Sequence, residues 1–331
     1  MPTTTRHRSP DEQRAEDIFV NTHTRNEEGR YCVEIPFKLN APRLGDSRTT
    51  ALRRFHSLEA KFKRDPELRN QYQQFMQEYE QLGHMSRIPY EAACEDGKSY
   101  YIPHHAIGKG KFRVVFDASC GTSNGISLNE IQLIGEQLQD DLAVILLRFR
   151  LHRVALTADI SKMYRQILVA EHHRPYQQIS WRDQPYERIR EYELNTVTYG
   201  TTSAPNCAVR SLQQCAIDSE EEFPIAARIT LRDFYVDDLI TGTETDDEAI
   251  EIYRQMTAML SGTGFELRKW VSNRRNVLTH ITKDHKNDKQ ILALDDTESS
   301  SVLGVKWQPA TDELMINVAD LDPNSTIHTD I

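Results

Sequence analysis

The sequence lacks several features that would assign it to a familiar class of protein. Its five cysteines are scattered over 331 residues and none forms a Cys-x-x-Cys pair, which argues against a zinc site or a disulfide framework and favours a reducing compartment. No apolar run approaches ~20 residues, so no membrane span is expected. The strongest run, residues 142–147, ends at Arg148, and the N-terminus has no apolar segment of a secretory signal.

A surplus of basic residues is also missing. The formal net charge is −10, with 40 lysines and arginines against 50 aspartates and glutamates. Simple nucleic-acid-binding domains usually carry a basic patch, so the charge argues against that class. A polymerase is not excluded, because acidic residues around metal ions lower the total and basic stretches occur locally at residues 53–69 and 268–275. The 38% of apolar residues is enough for a globular core.

Periodic apolar patterns predict an α+β protein. Residues 1–28 are polar and are expected to be disordered, and residues 29–38 alternate as a strand does. Residues 47–82 have the spacing of two helices, restarted at Asp65-Pro66. From residue 154 to residue 270 the order strand–helix–strand–strand–helix–strand is a split βαβ pattern, which forms an antiparallel sheet with helices on one face. Further strands are predicted at residues 100–107, 111–119, 153–160, 176–182, 190–200, 227–236 and 239–243, and further helices at 135–152, 203–222 and 245–264.

Two adjacent aspartates, Asp237 and Asp238, stand in the middle of a predicted hairpin, in the segment RDFYVDDLITG. Adjacent carboxylates repel each other and are costly to desolvate unless a cation compensates them. Successive side chains of a strand point to opposite faces, so both reach one site only if the backbone turns there. Such a turn would bring Asp237, with Asp238 close by, opposite Asp159 at the end of a central strand. The pair is either a solvated turn or part of an oxygen-only Mg²⁺ site.

Other residues of metal-binding type receive structural interpretations. Cys207 and Cys215 fall in one predicted helix, where core packing is expected. The histidines at residues 104–105 and 172–173, and at 280 and 285, lack convincing ligand partners, and we interpret them as structural or solvated.

Six segments follow one another along the chain: KFRVVFDAS…TSNGISLNE, LQDDLAVILLRFR, ADISKMYRQI, TVTYGTTSAPNCAVRSL, RDFYVDDLITG and GFELRKWVSN. Together they resemble the reverse transcriptases of BEL/Pao-type long-terminal-repeat retrotransposons, over most of the chain from about Gly29 to Trp307. The resemblance implies a right-hand polymerase fold. Its palm would be the split βαβ, ferredoxin-like antiparallel sheet with helices on one face, accompanied by fingers, and its thumb would be absent or truncated.

The resemblance implies a catalytic set of Asp159, Asp237, Asp238 and Lys269. The three aspartates would bind two Mg²⁺ ions, with Mn²⁺ as an alternative, and Asp159 and Asp237 would bridge them. Two such ions activate an attacking hydroxyl and stabilise a departing pyrophosphate. Lys269, in FELRKW, matches a lysine that would protonate the leaving group, although a solvated surface charge is the alternative for it.

Residues near the incoming nucleotide are implied in the same way. The backbone of Ile160 would lie near the triphosphate, and Tyr164 matches the aromatic steric gate that leaves no room for a 2′-hydroxyl. Gly200 would let the backbone approach the template–nucleotide pair closely. Tyr199 stands where retroviral enzymes carry glutamine. An aromatic residue is usual there in related retrotransposons, so Tyr199 is interpreted as a variant contact.

The resemblance also assigns phosphate and primer contacts. Arg113 matches the arginine of the fingers that grips phosphate, a role suited to a planar guanidinium. Its accompanying lysine would be Lys109 or Lys111, between which the sequence does not choose. SVLGVKW resembles a primer-grip hairpin, in which Leu303 and Gly304 would steady the primer end. Trp270 is expected to be a packing residue.

The implied division of the chain follows these motifs. The sequence would be a fingers-and-palm segment from a truncated copy, a partial gene model or a gene retained by a host. Its parts would be a lead-in at residues 1–28, an N-terminal strand and helical pair at 29–85, fingers at 86–153, a palm at 154–275 with a fingers insertion around 170–198, a primer-grip region at 276–310 and a truncated tail at 311–331.

The function that follows from the resemblance is RNA-directed DNA polymerase activity, a nucleotidyl transfer of a deoxynucleotide to a primer 3′-hydroxyl. The partners would be an RNA template, a DNA or RNA primer and deoxynucleoside triphosphates, in cytoplasmic particles or alternatively in the nucleus. The alternative is a domesticated relic without catalysis that binds nucleic acid or another protein, which the missing thumb favours. Another two-metal enzyme, such as a nuclease, would need no sugar discrimination and therefore no gate at Tyr164.

Overall fold

The computed structural model describes residues 7–89, 97–108, 112–286, 300–302 and 305–316, with the backbone alone at residues 300–302, 305, 306 and 316. The described chain is a mixture of helices and strands, as the sequence predicts. Within it, no helix has both the length and the apolarity needed to cross a membrane. The helices are α1 Pro10–Thr22, α2 Arg48–Phe62, α3 Pro66–Gln81, α4 Leu142–Phe149, α5 Met163–Gln166, α6 Ala204–Asp218, α7 Pro224–Thr230, α8 Asp246–Ser261 and α9 Arg275–His280.

The strands form small sheets in the orders β1-β2-β7, β3-β9-β8, β4-β5, β10-β11-β6-β12 and β13-β14-β15, and only β2 and β7 among the described pairs run parallel. Their bounds are β1 Thr24–Arg25, β2 Tyr31–Val33, β3 Met85–Arg87, β4 His104–Ile107, β5 Arg113–Phe116, β6 Val154–Ile160, β7 Leu168–Val169, β8 Gln178–Trp181, β9 Arg190–Leu194, β10 Phe234–Tyr235, β11 Asp238–Thr243, β12 Leu267–Ser272, β13 Ser300–Val302, β14 Val305–Gln308 and β15 Glu313–Ile316.

The chain divides into two compact units, each built from several stretches of sequence. The first unit comprises Met1–Leu138, Lys162–Cys215 and Gly262–Phe265, and the second comprises Gln139–Ser161, Ala216–Ser261 and Glu266–Ile331. The predicted parts, including a palm at residues 154–275 with a fingers insertion around 170–198, have other bounds than these units, and the names fingers and palm remain predictions.

The core of the first unit is rich in aromatic side chains contributed by α2, α3 and the sheet β3-β9-β8. Tyr72 of α3 is buried and stacks on Trp181 of β8, with ring centroids 5.4 Å apart. Phe55 and Phe62 of α2 pack against the edge of the same tryptophan. The predicted helical pair is confirmed, because Asp65 caps α3 through the amide of Leu68 and Pro66 begins it.

The prediction of disorder at residues 1–28 is wrong over Pro10–Thr22, which form α1, while residues 1–6 lie outside the described residues. Ser9 and Glu12 form a reciprocal capping box, and Pro10 takes the first helical position. Phe19 is buried and Arg210 of α6 lies 4.6 Å from the centre of its ring. Few apolar residues are enough to dock this helix on the first unit, since a capped terminus supplies the rest of its local stability.

The second unit contains the antiparallel sheet β10-β11-β6-β12, in agreement with the predicted antiparallel arrangement. Directly paired residues share a face. On one face, Ala155, Ile240 and Val271 pack with α4 and with Trp307 of β14. On the other face Trp270 is fully buried and meets Tyr253 of α8 edge-on at 5.2 Å, which confirms its predicted packing role. Helices therefore cover both faces, α8 on one and α4 on the other.

Two predicted elements of the second unit differ in the structure. Residues 227–236, predicted as a strand, end helix α7 and leave only Phe234–Tyr235 as β10. Pro224 begins α7, and the Gln255 Oε1 atom accepts the amides of Ile225 and Ala226, so its first turn is satisfied. The helix predicted at residues 135–152 is confined to Leu142–Phe149.

Candidate metal centre

The two adjacent aspartates stand at a hairpin with a two-residue loop, as predicted. Tyr235 of β10 pairs with Asp238 of β11, which leaves Val236 and Asp237 as the loop. Val236 has a φ of +56°. A positive φ at the first loop residue is typical of a type II′ turn, where glycine is usual, and it strains a β-branched side chain. Strain of this kind, about 1–3 kcal/mol, concentrates at functional sites.

The ladder brings the three predicted carboxylates together, with one difference from the prediction. Asp238, rather than Asp237, is directly paired with Asp159 of β6. Asp237 is held at the loop because its carbonyl accepts the Ile160 amide hydrogen, with 2.8 Å between the two atoms. The resemblance implies that the backbone of Ile160 lies near the triphosphate. Its amide hydrogen is already donated within the protein, to the Asp237 carbonyl.

Gln139 supports the strained loop and was not singled out from the sequence. Its side-chain oxygen accepts the Val236 amide hydrogen at 3.0 Å, and its Nε2 donates to the Phe234 carbonyl at 3.2 Å. These two bonds fix the backbone on both sides of Tyr235, immediately before the aspartates.

Lys269 reaches the carboxylates from a β-bulge in β12. Arg268 pairs with Asp159 and Val271 with Thr157, so β12 has one residue more than β6 between these pairs. Lys269 adopts a φ of +55° in the bulge. A bulge re-aims a side chain, and the Lys269 Nζ atom lies 2.6 Å from Asp159 Oδ2. The structure thus brings together Asp159, Asp237, Asp238 and Lys269, all four residues of the predicted catalytic set.

The electrostatics of this cluster show more negative charge than one lysine balances. Burial raises the pKa of Asp237, and the charge of Asp159 raises it further. Burial and the charges of Asp237 and Asp159 raise the pKa of Asp238 to about 7, although Lys269 opposes the increase. Near neutral pH and without a bound cation, Asp238 is therefore protonated in a fraction of the molecules.

The donor set fits Mg²⁺. Three carboxylates at one end of the sheet offer hard oxygen ligands of the kind that Mg²⁺ binds. Asp159 Oδ1 is buried and has no hydrogen-bond partner among the described residues. Its Oδ2 is paired with the Lys269 ammonium group, a positive charge in a position that a metal ion could take. Asp159, Asp237 and Asp238 are the residues that would hold the metal.

The predicted nucleotide-contacting residues Tyr199 and Gly200 lie in the first unit. Gly200 has a φ of +95°, and a Cβ atom there would lie 2.2 Å from the Phe116 carbonyl oxygen. The fold itself therefore requires glycine at this position, independently of any ligand. Tyr199 packs against Phe116, with ring centroids 5.3 Å apart, and Asn129 donates to the Gly200 carbonyl at 3.2 Å.

Tyr164 belongs to the short helix α5 of the same unit and is half-buried. The next residue, Arg165, lies over Tyr79, Phe75 and Tyr199, with its guanidinium carbon 4.6, 5.1 and 5.8 Å from the three ring centres. Arg165 thereby connects the helix of Tyr164 with the loop of Tyr199. No sequence pattern indicates this role, because an arginine at residue 165 is indistinguishable in the sequence from an ordinary surface charge.

Arg113 begins β5, where it is exposed and has no side-chain partner among the described residues. Its guanidinium is therefore accessible to a ligand, and its role as a phosphate contact stays a prediction. Lys109, Lys111, Leu303 and Gly304 lie outside the described residues.

The histidines also belong mainly to packing, as expected. Buried His104 bonds to Tyr72 Oη at 2.6 Å and to the Ser180 carbonyl at 3.0 Å. Within the described chain, Glu34, His172 and His173 form one cluster with metal-ligand spacing. However, His173 Nδ1 accepts the Ile35 amide hydrogen at 2.9 Å, so in its neutral form the ring carries its proton on Nε2 and has no lone pair there for a metal.

Comparisons with known proteins find similarity at the level of structure. No protein-family model matches the sequence, and no curated protein matches it. Among solved structures the chain is similar to the foamy viral protease-reverse transcriptase dRH in complex with ds DNA, with 14% identity and a TM-score of 0.49. The match covers 90% of this chain and 42% of that chain, so this chain spans less than half of that protein. At this TM-score, the interpretation of the site depends on the chain's own residues.

Proposed function

We propose that this chain is the catalytic segment of an RNA-directed DNA polymerase of the BEL/Pao type, which adds deoxynucleotides to a primer 3′-hydroxyl. One observation carries the proposal: Asp159, Asp237 and Asp238 converge on a strained hairpin whose charge is under-compensated. A solvated turn, the alternative interpretation of the aspartate pair, would need neither burial nor strain. The motif resemblance supplies the reaction, because in that family this hairpin is the centre of nucleotidyl transfer.

The three carboxylates would hold two Mg²⁺ ions, or Mn²⁺ in their place. When bound, such ions favour ionisation of the attacking hydroxyl and stabilise the departing pyrophosphate. The protein's own contribution is positional. The Gln139 bonds and the Ile160–Asp237 bond hold the carboxylates at fixed places, so little reorganisation is needed when charge develops.

Lys269 would serve as the proton donor to the leaving group. Its ammonium is bonded to Asp159 Oδ2, and its side chain is 63% exposed, so it can move away when a cation takes its place. A proton on Nζ could then pass to a pyrophosphate oxygen. By the same resemblance, Tyr164 would be the gate against a 2′-hydroxyl and Arg113 a phosphate contact.

The decisive experiment is primer extension on an RNA template with Mg²⁺ and all four deoxynucleotides, comparing the wild type with Asp237→Asn. The substitution deletes a charge and almost no volume, so we expect folding to persist and extension to fall at least ~100-fold. Asp247→Asn is the matched control, because it removes an exposed carboxylate from the first turn of α8 and should leave extension unchanged.

Normal extension by a folded Asp237→Asn protein would refute the assignment. A wild-type protein that folds and binds Mg²⁺ but never extends a primer would favour the second function, a relic that binds nucleic acid without copying it. Circular dichroism and thermal unfolding of each variant distinguish lost chemistry from lost structure.

A further inference from the structure

A groove on the first unit is lined by four arginines: Arg48, Arg87, Arg188 and Arg190. We call it the arginine groove. Its volume is about 320 Å³, and its other lining residues are Ile88, Pro89, Ile189 and Glu191. Such a concentration of one charge is unexpected in a chain whose net charge is −10.

Three elements of the fold bring these arginines together. Arg48 is the first residue of α2, Arg87 is the last of β3, and Arg190 is the first of β9. Strands β3 and β9 are antiparallel neighbours, so the end of one lies beside the start of the other. The Ile88 amide extends this pairing by donating to the Glu191 carbonyl at 2.9 Å.

The positive charge of the groove is only partly neutralised inside the protein. Glu191 accepts bonds from Arg48 and from the Tyr101 hydroxyl, both at 2.6 Å, so its carboxylate is fully engaged. Arg190 lies 3.6 Å from Glu187. Arg87 is exposed and its guanidinium has no partner within the described part of the chain. The groove therefore presents unused donors and excess positive charge to solvent.

We propose that the arginine groove binds the phosphodiester backbone of a single-stranded polynucleotide. Guanidinium groups match phosphate oxygens with paired donors, and contacts of this kind position a strand without reading its sequence. Tyr186, two residues before Arg188 on the β8–β9 hairpin, has 85% of its surface exposed. An exposed aromatic ring on the same hairpin as two of the groove's arginines is suited to stacking an unpaired base, which favours single strands over duplex.

This site goes beyond the proposed polymerase function, since it needs neither the carboxylates nor a metal. It rests on that function in one respect, namely that the polymer is the nucleic acid the enzyme would copy. A strand anchored here would stay with the protein between catalytic events, because its release requires phosphates to separate from several arginines together.

The test is fluorescence anisotropy with a labelled single-stranded RNA, in EDTA and without nucleotides. Arg87→Ala is the informative variant, because an arginine without a partner leaves no unpaired carboxylate behind. We expect its dissociation constant to rise about fivefold or more, and the slope of log affinity against log salt to become shallower by about 0.7. Arg87→Glu should weaken binding further.

Arg53→Ala is the matched control. Arg53 is an exposed arginine on α2 that does not line the groove and has no side-chain partner in the described residues, so its loss should leave affinity within about twofold of the wild type. Equal weakening by Arg53→Ala and Arg87→Ala would mean that RNA affinity depends on net charge alone, and this result would overturn the proposal.

Two comparisons separate this proposal from the polymerase assignment. Asp237→Asn should bind RNA like the wild type, and RNA binding that depends on Arg87 in a protein without extension activity would support the groove while the proposed function fails. Conversely, normal extension together with unchanged RNA binding by Arg87→Ala and Arg87→Glu would overturn the groove alone. Stronger binding of an acidic peptide such as polyglutamate, at the same arginines, would assign the groove to a protein partner and overturn the polynucleotide.

Discussion

Val236 and Gln139 show how a backbone conformation that is unfavourable in isolation is held in place. Valine at a φ of +56° is strained, yet the two peptide groups that flank the preceding residue, Tyr235, are bonded to one glutamine. The glutamine is 97 positions away from Val236 in the chain. Positioning of the aspartates therefore depends on a residue that carries no chemistry of its own.

Gln139→Leu should impair extension without abolishing the fold. Loss of both bonds lets the loop relax, and misplacement of catalytic groups by about 1 Å can cost about 100-fold in rate. Gln139→Glu keeps an acceptor for the Val236 amide but loses the donor to Phe234, so an intermediate rate is expected. The measurement is kcat for primer extension beside RNA affinity, which should not change. A Gln139→Leu enzyme with wild-type kcat would contradict the positioning role.

Asp238 gives the protein without metal a distinctive pH dependence. Its pKa is raised to about 7 in the folded state, so folding is favoured when this carboxyl is protonated. That contribution is complete below about pH 4, the usual range of aspartate, and is lost as the pH rises through about 7. In EDTA, urea unfolding should therefore show Asp238→Asn gaining stability relative to the wild type as the pH rises from about 4 to about 7.

Mg²⁺ should offset this loss, since a cation favours the ionised carboxylates. We expect the increase in melting temperature caused by Mg²⁺ to be larger at pH 8 than at pH 6 in the wild type, and to be small at both pH values in Asp238→Asn. Asp247→Asn, in the exposed first turn of α8, serves as the control and should behave like the wild type. A Mg²⁺ response independent of Asp238 would place the metal elsewhere.

At the scale of elements, α1 shows how a polar segment acquires structure through a few contacts. Arg210 both covers the Phe19 ring and pairs with Glu16 at 3.0 Å, so one side chain of α6 contacts α1 at two of its residues. Phe19→Ala should destabilise the docked helix by about 3–4 kcal/mol. Amide hydrogen exchange within α1 would then accelerate strongly, whereas Val20→Ala, on the exposed side of the same helix, should leave exchange nearly unchanged. Equal exchange in both variants would mean that α1 is not held by its Phe19 face.

The sequence predicts elements well where local pattern and tertiary contacts agree. The helical pair α2–α3, the hairpin β8–β9 and the central strand β6 are found where periodicity places them. Prediction from the sequence fails where contacts with side chains far away in the chain determine the local structure. Helix α7 contains β-branched residues that suggest a strand, but Gln255 satisfies its first amides. Helix α1 has few apolar residues to signal its docking on Arg210, 194 positions later.

The same division applies to the site. The aspartates and Lys269 follow from a local motif, although their register follows only from the ladder, which pairs Asp238 with Asp159. Gln139 and Arg165 act through contacts between distant segments, and a single sequence contains no signal for such contacts.

At the scale of the whole molecule, histidines that are buried or half-buried should set the acid limit of the fold. Burial lowers the pKa values of His84, His104 and His173 to about 4, so each is neutral when folded. Unfolded histidine takes up a proton below about pH 6.5, so stability is complete above that pH and is lost as the pH falls toward 4. Each histidine contributes about 1.4 kcal/mol per pH unit within this range.

Urea unfolding of His104→Gln tests this expectation. The variant should lose less stability between about pH 6.5 and pH 4.5 than the wild type, because glutamine forms hydrogen bonds without titrating. His56→Gln, at an exposed position of α2, should retain the wild-type slope. Identical slopes for all three proteins would show that burial of His104 does not govern acid unfolding.

The positions of the tryptophans allow intrinsic fluorescence to report on each unit separately. The protein has three: Trp181 in the aromatic core of the first unit, and Trp270 and Trp307 on opposite faces of the sheet that carries the aspartates. Replacing Trp181 with phenylalanine would confine intrinsic emission to the second unit, and replacing the other two would confine it to the first. Unlabelled protein could thus show in a stopped-flow instrument which unit responds to a cation and which to a strand of RNA.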